Sequence, residues 1–290
     1  MFVNAIQRVS GFVRAIHSIS RNFGQNQINK GSATLFFIND EGYAITCKHV
    51  AQWITNANQI NLKYDEYLRK SAHQPDHKKE KIARDLGLSK ERVAEMRLTF
   101  VDCVDQITNI KFTLHPTYDL ALLKFEGFNR ALYQGKAIFL EDESNIQPGM
   151  MGCRLGFPFP EFSNFNLDKE TNTLNWTQNG MKKSPRFPIE GMVTRFAGDK
   201  TGRIFGIEMS TPGLRGQSGG PLFDTEGRII GMQSMTKHLH LGFDIEDKEI
   251  VAHGKQKKVN DYAFIHLGQC VHVSVIKSFL KDQGVSFFQQ

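Results

Sequence analysis

The sequence predicts an all-β chain made of two antiparallel halves, and three observations predict it. Most of the 290 residues fall into short apolar runs, as at 32–38, 120–125 and 204–209. Gly-bearing turns separate them, among them residues 39–42 (Asn-Asp-Glu-Gly) and 224–227 (Asp-Thr-Glu-Gly), where glycine takes the positive φ of a tight turn. Only two stretches, 65–98 and 273–283, turn to helical spacing. Many short strands with such punctuation indicate a barrel or sandwich.

In chain order, residues 1–10 open the molecule. Apolar positions 2, 6, 9, 13 and 16 follow helical spacing, and Asn4, Gln7, Arg8 and Arg14 interrupt them, so no unbroken apolar core of a secretory signal forms. The segment reads as a short helix leading into the first strand; a basic amphipathic membrane or presequence segment is the other reading. Strands are expected at 12–19, 32–38, 43–47, 60–64, 110–114, 120–125 and 151–155, then at 191–196, 204–209, 220–223, 228–234 and 262–266. The halves meet near 140–148, which divides the chain into 1–10, 11–147 and 148–290.

The insertion at 65–98 is charged, with Ile82, Leu86, Val93 and Met96 at turn spacing. Ala83, Gly87 and Val93 match the spacing of a DNA-binding helix-turn-helix, but a helical hairpin lid ending at Gly87 and restarting at Ser89 explains them as well. Residues 273–283 read as a terminal helix closed by Gly284. His73, His77, His238 and His240 read as solvated side chains, and no metal site is expected.

A net charge of +6 with basic clusters at 69–97, 182–186 and 255–258 permits an acidic partner without requiring one. No apolar run approaches the roughly 18 residues of a membrane-spanning helix. Cys47, Cys103, Cys153 and Cys270 are far apart and form no CxxC pair. They read as buried small hydrophobes in a reducing compartment, hence a cytoplasmic protein.

The chemistry concentrates in Gly216-Gln217-Ser218-Gly219-Gly220-Pro221. Glycines flanking a serine let backbone N–H groups converge on one small volume, as a developing oxyanion requires. Gly216 and Ser218 are the expected donors. A serine hydroxyl needs a base, and His49 stands just after an apolar strand. Asp119 opens another apolar strand, where it could sit under the imidazole.

Together these three segments resemble the chymotrypsin or trypsin-like serine peptidases. ITCKHVA is similar to that family's histidine motif, YDLALLKF to its aspartate motif and GQSGGPLF to its serine motif. The resemblance covers most of residues 11–283 and is nearest the HtrA/Deg-type branch. It implies two six-stranded antiparallel barrels, His49 and Asp119 on the first and Ser218 on the second, and a cofactor-free serine endopeptidase acting through an acyl-enzyme. It further implies a protein or peptide substrate lying along Ser234, Met235 and Thr236, with Pro212 at the base of the pocket and Ala263 or Phe264 as a wall. With no carboxylate at Pro212, small or medium uncharged side chains are expected there.

The departures from the family pattern are informative. Val50 replaces the cysteine that secreted members carry after the histidine, Gln217 replaces the acid of pancreatic members, and the chain ends at Gln290, too soon for a PDZ domain. A protein activator is the partner the HtrA-type resemblance suggests. The rival functional class is a non-catalytic or nucleic-acid-regulated binding module on the same fold.

Overall fold

The computed structural model describes residues 1–290. Helix α1 (Val3–Ser10) leads into β1 (Val13–Asn22), β2 (Asn29–Phe37) and β3 (Tyr43–Thr46), followed by α2 (Lys48–Ser71) and α3 (Asp76–Asp85). Next come β4 (Val93–Phe100), β5 (Asn109–Leu114), β6 (Ala121–Glu126), β7 (Ile138–Phe139) and β8 (Met151–Gly156). The remainder is β9 (Phe165–Asp168), β10 (Thr173–Trp176), β11 (Phe187–Gly198), β12 (Ile204–Met209), β13 (Pro221–Phe223), β14 (Ile229–Ala252), β15 (Lys255–His272), α4 (Val273–Asp282) and β16 (Phe288–Gln289).

The first sheet has the order β4-β1-β2-β3-β6-β5 and is antiparallel throughout. The second runs β13-β8-β11-β12-β15-β14, and a further pairing of β13 with β14 closes these six strands into a ring. β7 and β16 extend it in parallel at the β14 edge. Because β7 belongs to this second sheet, the chain crosses between sheets before Ile138, earlier than the expected 147. One apolar core runs through both sheets, from Phe36, Phe37 and Phe125 to Leu222, Phe223 and Ile230.

α1 forms as expected and buries Ala5 and Val9, while Phe2 meets Phe223 edge-on at 6.2 Å. The helical spacing stops at Ser10; Val13 and Ile16 lie on β1. The expected strand at 60–64 is helix. Buried Val50, Ile54, Ala57 and Tyr64 keep a period near 3.6, and that face overrides the local β-like run. Pro75 separates α2 from α3, and Gly87, at φ +71°, ends the helical stretch. Ser89 starts no helix.

The insertion is also less helical than 65–98 implied. Its last residues form β4, paired with β1 in the first sheet. Glu95, fully buried, forms an ion pair with the buried Arg21 (3.0 Å) and accepts from Arg97 (3.1 Å) and Leu174 N–H (2.9 Å). Asn61 of α2 exchanges two hydrogen bonds with the Met96 backbone (2.6 and 2.9 Å), which fastens the helix to the strand. Residues 93–98 therefore build the first sheet and are no detachable lid.

β14 and β15 are far longer than the expected 228–234 and 262–266. They form a ribbon whose distal half is exposed, with Leu239, Leu241, Phe243 and Ile245 alternating along it. The predicted terminal helix appears as α4, ending one residue earlier at Asp282.

The Glu95 carboxylate generates a stability test. Replacing one member of a buried ion pair leaves the other charge uncompensated, at a cost of about 3–5 kcal/mol. Glu95→Gln should lower the unfolding free energy by that amount in denaturant titrations; a loss below about 1 kcal/mol, the worth of an exposed pair, would show the interaction to be dispensable.

Candidate active site

β3 ends at Thr46, and Cys47 turns the chain so that His49 stands in the first turn of α2. Asp119 sits in the short turn before β6, fixed by the His115 N–H bond to the Leu120 carbonyl (2.9 Å). The two side chains meet. His49 Nδ1 lies 2.9 Å from Asp119 Oδ2 and 3.1 Å from Oδ1, and the His49 backbone N–H donates to Oδ1 (3.0 Å). The Ser234 hydroxyl donates to Oδ2 at 2.5 Å. This second clamp gives Ser234 a place under the carboxylate, beyond its expected position along the substrate.

Burial opposes a charge on Asp119, but bonds from the His49 ring, the Ser234 hydroxyl and the His49 backbone outweigh it. They lower its pKa from 3.8 to about 2. The carboxylate is thus ionised throughout the neutral range and accepts from Nδ1–H, which leaves Nε2 as the free base nitrogen.

Ser218 lies in the loop between β12 and β13 and shares with His49 a cleft of about 490 Å³ between the two sheets. Its Oγ donates to the Ser234 carbonyl at 3.2 Å and makes no bond to the imidazole. Hydrogen bonds of catalytic sites commonly tighten only with substrate in place.

Gly216 has φ +98°, and a Cβ there would fall 2.6 Å from the Phe157 carbonyl oxygen; only glycine lets the loop pass. The N–H groups of Gly216 and Ser218 donate to no protein atom, while their neighbours Gln217, Gly219 and Gly220 are all engaged. Thr34 holds the loop from β2, donating its hydroxyl to the Gly216 carbonyl (2.8 Å) and accepting from Phe157 N–H (3.2 Å). Gln217, fully buried, accepts from Leu214 N–H (3.0 Å) and donates to the Phe187 carbonyl (3.2 Å). Sequence reasoning missed Thr34, which carries no motif.

Ser234, Met235 and Thr236 line the cleft, with Gly213 and Leu214 opposite; Pro212 lies outside it. Ala263 and Phe264 sit on the distal ribbon, away from the cleft, and Gly268 is the residue paired with Thr236. Cys47 approaches His49 and Asp119 closely enough to suggest a metal site. Burial, with the Asp119 charge, pushes its thiol well above the ordinary range, and its Sγ donates to the Gln233 carbonyl (3.2 Å). All four cysteines are buried and unpaired.

The Asp119 clamp is testable by titration. A carboxylate lowered on folding adds stability above its unfolded value of 3.8, and that stability is lost as pH falls through about 2. Removing the strong bond in Ser234→Ala should raise the Asp119 value by about one unit, read by carboxyl-carbon NMR. An unshifted titration would show that Ser234 does not hold the charge.

With the geometry established, comparisons place the chain among known proteins. The model of the trypsin-like peptidase domain matches residues 31–232. No curated protein matches by sequence. Among solved structures, the HtrA-type protease AlgW with a tripeptide is 14% identical at TM-score 0.47, covering 98% of this chain and 65% of its own. AlgW with a decapeptide is 13% identical at TM-score 0.48, covering 97% and 67%. A substituted form of AlgW with a tripeptide is 14% identical at TM-score 0.47, and this chain spans 63% of its length. The domain match extends over more than half of the sequence and includes the His49, Asp119 and Ser218 segments: the chain belongs to the trypsin-like peptidase family.

Proposed function

We propose that the protein is a serine endopeptidase that cleaves proteins through an acyl-enzyme, with His49, Asp119 and Ser218 as its triad. The observation that carries this is the clamped His49–Asp119 pair facing the same cleft as Ser218, beside two unengaged backbone N–H groups. His49 takes the Ser218 proton as the hydroxyl attacks the scissile carbonyl, then gives it to the leaving amine. Asp119 orients the ring and stabilises its cation. The N–H groups of Gly216 and Ser218 receive the oxyanion, and the edge of β14 at Ser234–Thr236 pairs with substrate backbone. In this reading the half that carries His49 and Asp119 and the half that carries Ser218, dividing before Ile138, are the two domains. Four unpaired cysteines support work in a reducing compartment such as the cytoplasm.

A fluorophosphonate probe should label Ser218 alone, and Ser218→Ala should abolish labelling and proteolysis. His49→Ala should be nearly as damaging, and Asp119→Asn should lower turnover by about 10⁴. Labelling at another serine, or full activity in Ser218→Ala, would overturn the triad. A folded protein that neither labels nor cleaves would favour the non-catalytic binding module.

Activation is expected to need no cut at the N-terminus. Pancreatic relatives order the hole by pairing an acid with a freed α-ammonium. Here the uncharged Gln217 already bonds Leu214 and Phe187, and an α-ammonium buried beside it would find no counter-charge. The intact mass of probe-labelled protein should retain the first residues; labelling seen only after their loss would overturn this.

A further inference from the structure

Behind the cleft lies a cation that the proposed mechanism does not use. Arg154, on β8, is fully buried. Its Nη1 donates to Gln233 Oε1 (2.7 Å), and its Nη2 to the Thr211 carbonyl (3.0 Å), Thr211 Oγ1 (2.6 Å) and the Pro212 carbonyl (3.1 Å). Its Nε–H has no partner. Every acceptor is neutral. A buried guanidinium normally has a carboxylate, because an isolated charge out of water is expensive to keep.

The nearby carboxylates are committed elsewhere. Glu208 binds Arg195 and Lys237, and Asp119 binds His49 and Ser234. Glu190 is exposed and contributes only its carbonyl, to the Thr211 hydroxyl. Burial also lowers the Arg154 pKa from its ordinary value, opposed only by the Cys270 and Cys153 thiols and by no carboxylate.

The position of this charge gives it meaning. Thr211 and Pro212 lie at the start of the loop that carries Ser218, and Gln233 lines the cleft. A Cβ on Gly268, the residue paired with Thr236, would fall 2.2 Å from Arg154 Nη1, and one on Gly213 would fall 2.2 Å from Gln233 Nε2. The guanidinium therefore sits directly behind the wall formed by Gly213, Gln233 and Thr236, beside Ser218. Lys30 and Arg215 line the cleft itself, and no Asp or Glu does.

We propose that Arg154 makes this pocket selective for an acidic side chain, glutamate or aspartate, in the residue that precedes the scissile bond. The inference rests on the protease reading above and names its substrate class. A carboxylate seated against that wall supplies the counter-charge the fold lacks, at short range and in low dielectric. A lysine or arginine there would meet a buried like charge. The expectation of an uncharged preference drawn from Pro212 rested on one position of the pocket base, whereas the charge comes from a different strand.

The test uses peptide amides that differ only at the residue before the cut: Glu, Gln, Ala and Lys. Gln matches Glu in shape, so their ratio isolates charge. The wild-type protein should show kcat/KM for Glu at least about tenfold above Gln, with Lys lowest. Arg154→Gln should bring the Glu:Gln ratio near one, and Arg154→Lys should retain part of it. Equal rates for Glu and Gln in the wild type, preference for Lys, or an unchanged ratio in Arg154→Gln would each overturn the proposal. If Arg154→Gln does not fold, the wild-type ratio and Arg154→Lys decide. Stoichiometric fluorophosphonate labelling without a Glu preference overturns this inference alone; no labelling and no cleavage overturns the protease reading with it.

Discussion

The site depends on a carboxylate that must stay charged where two sheets meet. Burial pushes Asp119 toward neutrality, and three donors from two elements reverse that: the ring and backbone N–H of His49 on α2 and the hydroxyl of Ser234 on β14. Because the donors come from both halves of the molecule, the charge is stable only when the sheets are correctly docked. The His49–Asp119 geometry and the docking of the sheets are therefore one requirement. A shift of β14 relative to β6 would release the Ser234 bond and weaken the orientation of the imidazole.

The loop that carries Ser218 obeys a different constraint, that of backbone space. Gly216 and Gly219 both take positive φ, and a Cβ at Gly219 would lie 2.1 Å from the Thr34 carbonyl oxygen. With side chains excluded there, the first sheet approaches the loop closely. Thr34 then bonds the Gly216 carbonyl, and Thr34 N–H donates to the Ser218 carbonyl (3.0 Å). Gln217 ties the loop from below with uncharged bonds. The N–H groups of Gly216 and Ser218, both residues of the cleft, are left without a protein acceptor.

Charge is distributed in a way that separates structure from recognition. Buried acids are matched within the fold, as Glu95 with Arg21 and Glu208 with Arg195 and Lys237. Arg14 and Arg154 are buried cations without such a match; Arg14 bonds only backbone carbonyls, whereas Arg154 bonds Gln233, a residue of the cleft. An unmatched charge bonded to a cleft residue points to a ligand that carries the opposite sign.

Sequence alone determined the β class, the N-terminal and C-terminal helices and the three segments that hold His49, Asp119 and Ser218, because each is written in local chemistry. Alternating apolar runs, turn glycines and a glycine-flanked serine are readable within a few residues. The length of the β14–β15 ribbon was written there too, in the alternation at 239, 241, 243 and 245, but polar residues on its open faces obscured it. Only the tertiary structure decided the rest. α2 replaced the strand expected at 60–64 because its face at Val50, Ile54, Ala57 and Tyr64 found the first sheet to cover, and 93–98 became a strand because Arg21 awaited Glu95. The roles of Thr34, Ser234 and Arg154 depend on distant partners, such as Gly216 for Thr34, 182 residues away. Local sequence cannot express such pairings, since they exist only once long-range strand register has brought the two halves together.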